Sequence, residues 1–179
     1  MPFTPYHLGP GLLVGLCLFS VLDLTGLLIG SVILDVEPLL VITLNWPLPL
    51  HGLAHTYLGA TAVGTVTTVV LYLMQRPLSS ITSTLLPHSV SSFHRLFFSV
   101  LLGAYMHVFL DSLLYPEMNP LFPILGNPFL GLISSQTVSA ICLWSGAAGS
   151  VLYLVFRVRE MGPWHKPGDT NPMSSGAVQ

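Results

Sequence analysis

The sequence predicts an all-α protein, a polytopic membrane bundle of about five helical segments in which the first two form a short hairpin. Two observations support this fold class. Hydrophobic residues make up 52% of the 179 residues and charged residues only 7%, whereas soluble domains carry roughly 25% charged residues. The apolar residues also fall into long runs, as crossing hydrocarbon requires. Five Lys and Arg in total are too few for a nucleic-acid-binding surface.

The apolar segments are divided by polar or proline-rich connections. They cover residues 10–20, 24–34, 52–74, 96–114 and 130–156. The last three approach or exceed the ~20 residues that a helix needs to cross ~30 Å of hydrocarbon, and the first two are shorter. The connections, which we expect to be loops, cover residues 35–50, 75–94 and 115–129. Residues 1–159 are therefore the membrane-embedded domain, and residues 160–179 are a polar, flexible C-terminal tail.

Two arrangements are open for residues 8–34. They form one long helix with Asp23 near the middle of the bilayer, or a hairpin of two short helices that turns at residues 20–25. In the hairpin Asp23 is the N-cap of the second helix, a position that aspartate favours. A carboxylate in the middle of a bilayer is costly. The distribution of the other polar residues also favours the hairpin.

The basic residues indicate one side of the membrane. They are Arg76, Arg95, Arg157, Arg159 and Lys166, and none lies at the N-terminus or in residues 35–50 and 115–129. With a hairpin, all five lie on one side, which the positive-inside rule identifies as cytoplasmic. We therefore expect an integral protein of the inner or plasma membrane with its N-terminus outside and its C-terminus in the cytoplasm. A single long first helix would place the N-terminus on the basic side.

Seven ionisable residues fall at the outer end of the bundle that contains this hairpin. They are His7, Asp35, Glu37, His51, His55, His107 and Asp111. The H-x-x-x-H and H-x-x-x-D pairs each place two side chains on one helix face, one turn apart. Pro38, which follows Glu37, is expected to end the second helix. One long first helix would leave His7 about 30 Å from the other six residues.

A metal ion explains these residues better than protonation does. A single His in a membrane helix is more often a packing residue, but an unpaired carboxylate in lipid costs several kcal/mol. No Lys or Arg lies on this side to pair with the acids. Mixed imidazole and carboxylate ligands favour zinc, then manganese or iron. We expect one or two divalent ions, while Glu117 in residues 115–129 is either a further ligand or a solvated acid.

Four sequence blocks resemble a known family. TPYHLGPG, LDVEP, HGLAHTYLGA and MHVFLDSLLY occur in this order between His7 and about Pro123. They are similar to blocks of the YdjM-like family of membrane-bound metal-dependent hydrolases, itself distantly similar to the zinc phospholipase C and nuclease superfamily. The resemblance implies one ion held by Asp35, His107, Asp111 and one of His51 and His55. It implies a second ion held with the help of His7 and a shared Asp111.

The chain departs from the family pattern at two positions. Glu37 stands where the second acid is usually Asp, and Gly52 stands where Arg is common. The later His and Glu ligands that complete three-metal sites are not evident in the sequence. The resemblance therefore implies one or two ions.

The function predicted from these residues is hydrolysis of a phosphoester of a lipid or lipid-linked molecule at the outer face, with Glu37 as the general base. The lipid bilayer and a lipid-linked substrate are the expected partners. The alternative is a non-catalytic subunit of a larger membrane complex in which the metal is structural. An intramembrane metal or proton transporter is a third possibility. An open coordination position beside a lipid-accessible groove would distinguish the hydrolase from a closed structural site.

Overall fold

The computed structural model describes residues 5–85 and 91–161, with side chains described for residues 6–75 and 91–158. All its regular elements in these ranges are helical, which confirms the predicted fold class. They are α1 (Pro5–Cys17), α2 (Leu24–Gly30), α3 (Val36–Thr43), α4 (Tyr57–Leu85), α5 (Phe93–Ser112) and α6 (Ser135–Met161), with short 3-10 helices at Ile33–Asp35 and Leu53–His55. The predicted tail lies outside the described residues from residue 162 onward.

Four helical stretches are long and apolar enough to cross a membrane. They are Leu24–Thr43, which combines α2 and α3, and Tyr57–Gln75, Phe93–Ser112 and Ser135–Val158. Their outer surfaces expose large apolar side chains such as Leu73, Leu143 and Trp144. Such a surface is stable in hydrocarbon and not in water. The chain is therefore an integral membrane protein.

The first two helices form the predicted hairpin. A Cβ atom on Gly15 would lie 2.6 Å from the Leu24 side chain, and one on Gly11 would lie 2.6 Å from Ser31, so α1 and α2 run antiparallel. Asp23 caps α2, since its carboxylate accepts a hydrogen bond from the Gly26 N–H at 2.6 Å. The turn thus lies where the sequence predicted it, and His7 is kept at the end of the bundle opposite Asp23.

The predicted helix end at Pro38 is wrong. α2 already ends at Gly30, and α3 begins at Val36, so Pro38 lies in the first turn of a helix. Proline is tolerated there because its missing N–H would have no helical acceptor. Residues 36–43 are therefore helical and not part of a loop. The expected loop at residues 75–94 is also too long, because α4 extends to Leu85 and Ser and Thr are only weakly unfavourable in helices.

Close packing of α2 against α5 depends on two glycines. A Cβ atom on Gly30 would lie 2.2 Å from the carbonyl oxygen of Val100, and one on Gly103 would lie 2.3 Å from that of Leu27. Any other residue would force the helices apart, as at the small-residue contacts common between membrane helices. This contact brings the last turns of α5 to the end of α2, where the ionisable residues lie.

The described basic residues lie at the end of the bundle opposite these ionisable residues. Arg95, at the start of α5, donates to the carbonyl oxygen of Leu22 at 2.7 Å and to that of Phe19. The Phe19 ring lies 6.4 Å from that of Phe156, the neighbour of Arg157. Arg95 and Arg157 therefore share one end, as the charge argument requires. That this end faces the cytoplasm stays a prediction.

Candidate metal centre

The structure brings all seven predicted residues together. His7 comes from α1, Asp35 from the 3-10 helix before α3, and Glu37 from α3. The remaining residues are His51 and His55, which precede α4, and His107 and Asp111 from the second half of α5. The four histidines and Asp111 are buried, whereas Asp35 and Glu37 expose 20% and 24% of their side chains. The cluster therefore has a buried interior and an accessible edge formed by carboxylates.

Asp111 is the centre of this cluster. Its Oδ1 lies 3.0 Å from Nε2 of His7. Its Oδ2 lies 3.2 Å from Nε2 of His107, 3.9 Å from Nε2 of His51 and 4.0 Å from Nε2 of His55. Two ligand atoms that each lie 2.0–2.2 Å from one ion are separated by roughly 3.0–3.5 Å. The observed separations are within about half an ångström of that range.

The protonation of His107 follows from its backbone partner. Its Nδ1 lies 2.8 Å from the carbonyl oxygen of Ser31, which can only accept, so Nδ1 carries the proton. When the ring is neutral, as a metal ligand must be, the lone pair is therefore on Nε2, the atom that lies near Asp111 and 3.7 Å from Oδ1 of Asp35. Ser31 is the C-cap of α2, and the end of the helix there makes its carbonyl available.

His51 and His55 have the same arrangement with carboxylate partners. Nδ1 of His55 lies 2.8 Å from Oε2 of Glu37, and Nδ1 of His51 lies 2.9 Å from Oε1 of Glu117. An ionised carboxylate accepts hydrogen bonds, so both Nδ1 atoms donate, and in the neutral rings both Nε2 atoms hold the lone pairs. Three histidine lone pairs and a carboxylate oxygen of Asp111 therefore share one small volume. A cation is the species that stabilises such a set.

The cluster contains two groups of potential ligands. His51, His55 and Asp111 form one, and His7, Asp35 and His107 form the other; in each, one ligand atom per residue lies within 4.8 Å of the others. Each group could hold a metal ion. The oxygens of Asp111 approach members of both groups, so this carboxylate is placed to bridge two ions. The resemblance implied a different division, with Asp35, His107 and Asp111 on the same ion.

Unpaired polar atoms in the cluster support this interpretation. His7 Nδ1, Asp35 Oδ2, His55 Nε2 and His107 Nε2 are buried and have no hydrogen-bond partner within residues 6–75 and 91–158. A buried polar group without a partner costs about 1–3 kcal/mol. Four such atoms in one cluster are unusual, and coordination of a cation would satisfy the available lone pairs. The donors present, imidazole and carboxylate, suit zinc among other divalent ions.

His51 and His55 do not share a helix face as predicted. His51 lies in a bend and His55 ends the 3-10 helix Leu53–His55, while α4 begins only at Tyr57. The two rings are nevertheless 4.9 Å apart and perpendicular. Because this segment is not α-helical, its backbone N–H groups are free to bond elsewhere, and those of Gly52 and Ala54 donate to Glu37 at 3.1 and 3.3 Å.

Glu37 is fully engaged by these contacts. Its carboxylate accepts from His55 and from two backbone N–H groups. Acids that accept from the second nitrogen of a ligating histidine orient the ring and raise its basicity. This geometry supports a positioning role for Glu37. Its role as a general base stays a prediction.

Two further residues lie at the site: Glu117, which the sequence left open as a further ligand or a solvated acid, and Tyr115, which was not predicted. Glu117 binds His51 and exposes 39% of its side chain, and the ring of Tyr115 lies 3.8 Å from that of His51. The loop containing them is held by Asn127, whose side-chain amide donates to the carbonyls of Ser112 and Tyr115 at 2.7 and 3.0 Å. For Tyr115 the only sequence signal was its position shortly after Asp111.

Burial fixes the charge of two residues outside the membrane-crossing stretches. Burial is the largest influence on His55 and lowers the pKa of its ring, although its hydrogen bond to Glu37 acts in the opposite direction. Burial, together with the charges of Asp111, Glu117 and Asp35, raises the pKa of Tyr115 to about 12. His55 is therefore kept in the neutral form that binds metals, and Tyr115 is kept as a neutral phenol beside His51.

Comparison with known proteins gives no support for any family. The chain matches no protein-family model, no curated protein and no solved structure. The resemblance to the YdjM-like family therefore stays a prediction, and the function must be argued from the site itself.

Proposed function

We propose that this protein is a membrane-embedded, metal-dependent hydrolase that cleaves a phosphoester of a lipid or lipid-linked molecule at the outer face of the membrane. One observation carries the proposal. The Nε2 atoms of His51, His55 and His107, whose Nδ1 atoms bond to acceptors, lie 3.2–4.0 Å from Oδ2 of Asp111. This is a preorganised set of ligands for a cation.

The charge around the cluster supports one or two divalent ions. Asp35, Glu37, Asp111 and Glu117 bring four carboxylates together. Among the side chains that the structure describes, Arg95 and Arg157 are the basic residues, and both lie at the opposite end of the bundle. Divalent cations would offset this charge, and we propose zinc because it binds imidazole and carboxylate together.

A bound ion would polarise a phosphoryl oxygen and make water a better nucleophile near neutral pH. In the hydrolysis a water oxygen bonds to phosphorus, the bond from phosphorus to the leaving alcohol breaks, and that alcohol takes up a proton. The protein holds the reacting groups at a buried cluster that excludes bulk water. Glu37 remains the predicted acceptor of the first proton, and its bond to His55 supports an additional task in orienting that ring.

Access to the cluster supports a substrate in the membrane. The buried histidines are reached from the side where Asp35, Glu37 and Glu117 are partly exposed. The residues flanking Asp35 include Leu34 and Val36, which belong to a membrane-crossing stretch. A molecule with an apolar part and a phosphate fits this boundary better than a soluble substrate does. The distribution of basic residues supports an outer location for this end.

The experiment is a comparison of the purified protein with Asp111→Asn in lipid nanodiscs. Metal is measured by elemental analysis, and release of phosphate or headgroup is measured across a panel of phospholipids and polyprenyl phosphates. We expect the wild type to contain about one or two zinc ions per chain and to hydrolyse part of the panel, and the variant to do neither. A metal-loaded wild type that hydrolyses none of these esters would favour the structural-subunit alternative.

A further inference from the structure

An apolar groove with a volume of about 700 Å³ lies beside the metal centre. Its walls come from α3, from α4 and from the segment between these helices. The lining includes Leu40, Val41, Trp46, Pro49, Val63 and Val66. Binding sites for small molecules typically have volumes of about 300–1,000 Å³, so the groove is large enough to hold a flexible chain.

The turn after α3 shapes one wall of the groove. Asn45 adopts a left-handed conformation with φ of 49°. This lets the N–H of Trp46 donate to the carbonyl of Val41 at 3.0 Å and that of Asn45 donate to Ile42 at 3.3 Å. This pair of bonds is the Schellman arrangement that ends a helix and folds the chain back. It places Trp46 in the same lining as Val41.

The groove and the metal centre share part of one wall. Glu37, Gly52 and Ala54 line the groove, and the same three residues form the hydrogen bonds that hold His55. The remaining lining residues are apolar except for Thr67 of α4. A molecule in the groove therefore has its polar end nearest to the accessible carboxylates of the cluster.

We propose that this groove binds one acyl chain of a lipid and thereby positions its phosphate at the metal centre. The positioning of the phosphate rests on the proposed function. Binding of the acyl chain is argued from the groove alone. The two helical walls, from α3 and α4, belong to the membrane-crossing stretches Leu24–Thr43 and Tyr57–Gln75, so hydrocarbon borders this part of the groove. An acyl chain is thus the occupant whose chemistry matches both the lining and the surroundings.

Two matched variants on α4 test this proposal. Val66 lines the groove and exposes 64% of its side chain, while Val69 exposes 43% and lies outside the groove lining. Val66→Trp fills the groove without disturbing the core, and Val69→Trp adds the same ring nearby. The probe is a palmitoyl lysophospholipid with a diazirine at the chain end, photoactivated in nanodiscs and mapped by mass spectrometry. Metal content is measured in parallel.

We expect probe labelling of α3 and α4 in the wild type and Val69→Trp, and a loss of about tenfold in Val66→Trp, comparable to discrimination by an apolar pocket. Metal content should be equal in all three proteins. Where a lipid is hydrolysed, Val66→Trp should raise KM and leave kcat unchanged, since uniform binding is lost.

The outcomes separate this proposal from the proposed function. Groove labelling without any hydrolysis would support the acyl-chain site and overturn the hydrolase. Hydrolysis that is unaffected by Val66→Trp, with labelling spread evenly over the lipid-facing helices, would overturn the acyl-chain site and leave the hydrolase in place.

Discussion

Nδ1 of His55 lies 2.8 Å from Oε2 of Glu37, and this hydrogen bond joins the segment before α4 to α3. The bond fixes the His55 tautomer and directs Nε2 toward Asp111. Glu117 has the same relationship to His51. Metal-binding histidines commonly donate their second nitrogen to a carboxylate, and loss of such an outer partner typically lowers metal affinity by about 10- to 100-fold. The two acids therefore belong to the site although neither faces Asp111.

The first prediction concerns Asp111, which belongs to one ligand group and lies close to His7 and His107 of the other. Asp111→Asn is nearly isosteric but removes the charge that binds a cation, so we expect metal content to fall by at least tenfold while helix content stays unchanged. The measurements are elemental analysis and circular dichroism.

The control is Asp23→Asn, the same change at another buried aspartate. Asp23 caps α2 at the opposite end of the bundle, and asparagine is an equally good N-cap, so we expect this variant to keep the wild-type metal content. Equal metal loss in both variants would mean that a general loosening of the bundle, and not a lost ligand, explains the result.

Sequence periodicity and charge were sufficient to predict the broad fold. The runs of apolar residues predict membrane helices, and the turn at Asp23 followed from the convergence of the seven ionisable residues that only a hairpin allows. The bounds of α3 could not be predicted in this way. A proline such as Pro38 can either end a helix or lie in the first turn of a new one. Here it lies in a first turn because α2 already ends at Gly30, where the chain packs closely against α5.

The candidate site was predicted as a set of residues but not as a geometry. The spacing of His51 and His55 fits one helix face, yet the chain bends there because Gly52 and Ala54 bond to Glu37. The partner of His107 is a backbone carbonyl, that of Ser31, which no pattern of side chains can reveal. Glu117 lies in an irregular loop whose path is set by tertiary contacts, so its approach to His51 was not predictable.

The second prediction concerns Gly52, which supplies no ligand atom itself. A Cβ atom there would lie 2.6 Å from Oε1 of Glu37, and the carboxylate would have to move. We expect Gly52→Ala to weaken metal affinity by about tenfold through the orientation of His55. Competition titration with a zinc chelator measures this. Gly146→Ala, whose Cβ meets only an ordinary contact at 3.4 Å, is the matched control, and equal affinities for both variants would contradict the positioning of His55 by Glu37.

The third prediction concerns helix packing. A Cβ atom on Gly103 would lie 2.3 Å from the backbone carbonyl of Leu27, which cannot yield as a side chain could. We expect Gly103→Ala to destabilise the protein by about 1–3 kcal/mol, the usual effect of overpacking. Thermal unfolding in detergent measures the change. An unchanged melting temperature would show that α2 and α5 can separate freely, and would weaken the argument that their contact positions His107.

The fourth prediction concerns orientation. Leu125, in the loop at the site end, exposes 78% of its surface. In a variant with Cys17 and Cys142 replaced by alanine, Leu125→Cys should react with a membrane-impermeant maleimide in intact cells, while a cysteine at position 175 should react only after permeabilisation. The reverse pattern would place the metal centre on the cytoplasmic side and would exclude a substrate at the outer face.

The last prediction separates two roles of Glu37. The three hydrogen bonds that its carboxylate accepts favour orientation of His55, so Glu37→Gln should weaken metal affinity by about 10- to 100-fold. If it is also the general base, turnover at saturating metal should fall by about 10² to 10⁴.

Glu117→Gln is the matched control for Glu37→Gln, because it removes the carboxylate partner of a different ligand, His51. A positioning role alone predicts that both variants recover wild-type kcat once enough zinc is added, with Glu37→Gln needing more because His55 is completely buried. A general base predicts that Glu37→Gln stays slow at every zinc concentration while Glu117→Gln recovers. Chelator titration and kcat, measured on the same preparations, give the two quantities independently. A Glu37→Gln variant with unchanged metal affinity and unchanged kcat would contradict both roles. The Glu37 carboxylate would then serve only to join α3 to the segment that contains Gly52 and Ala54.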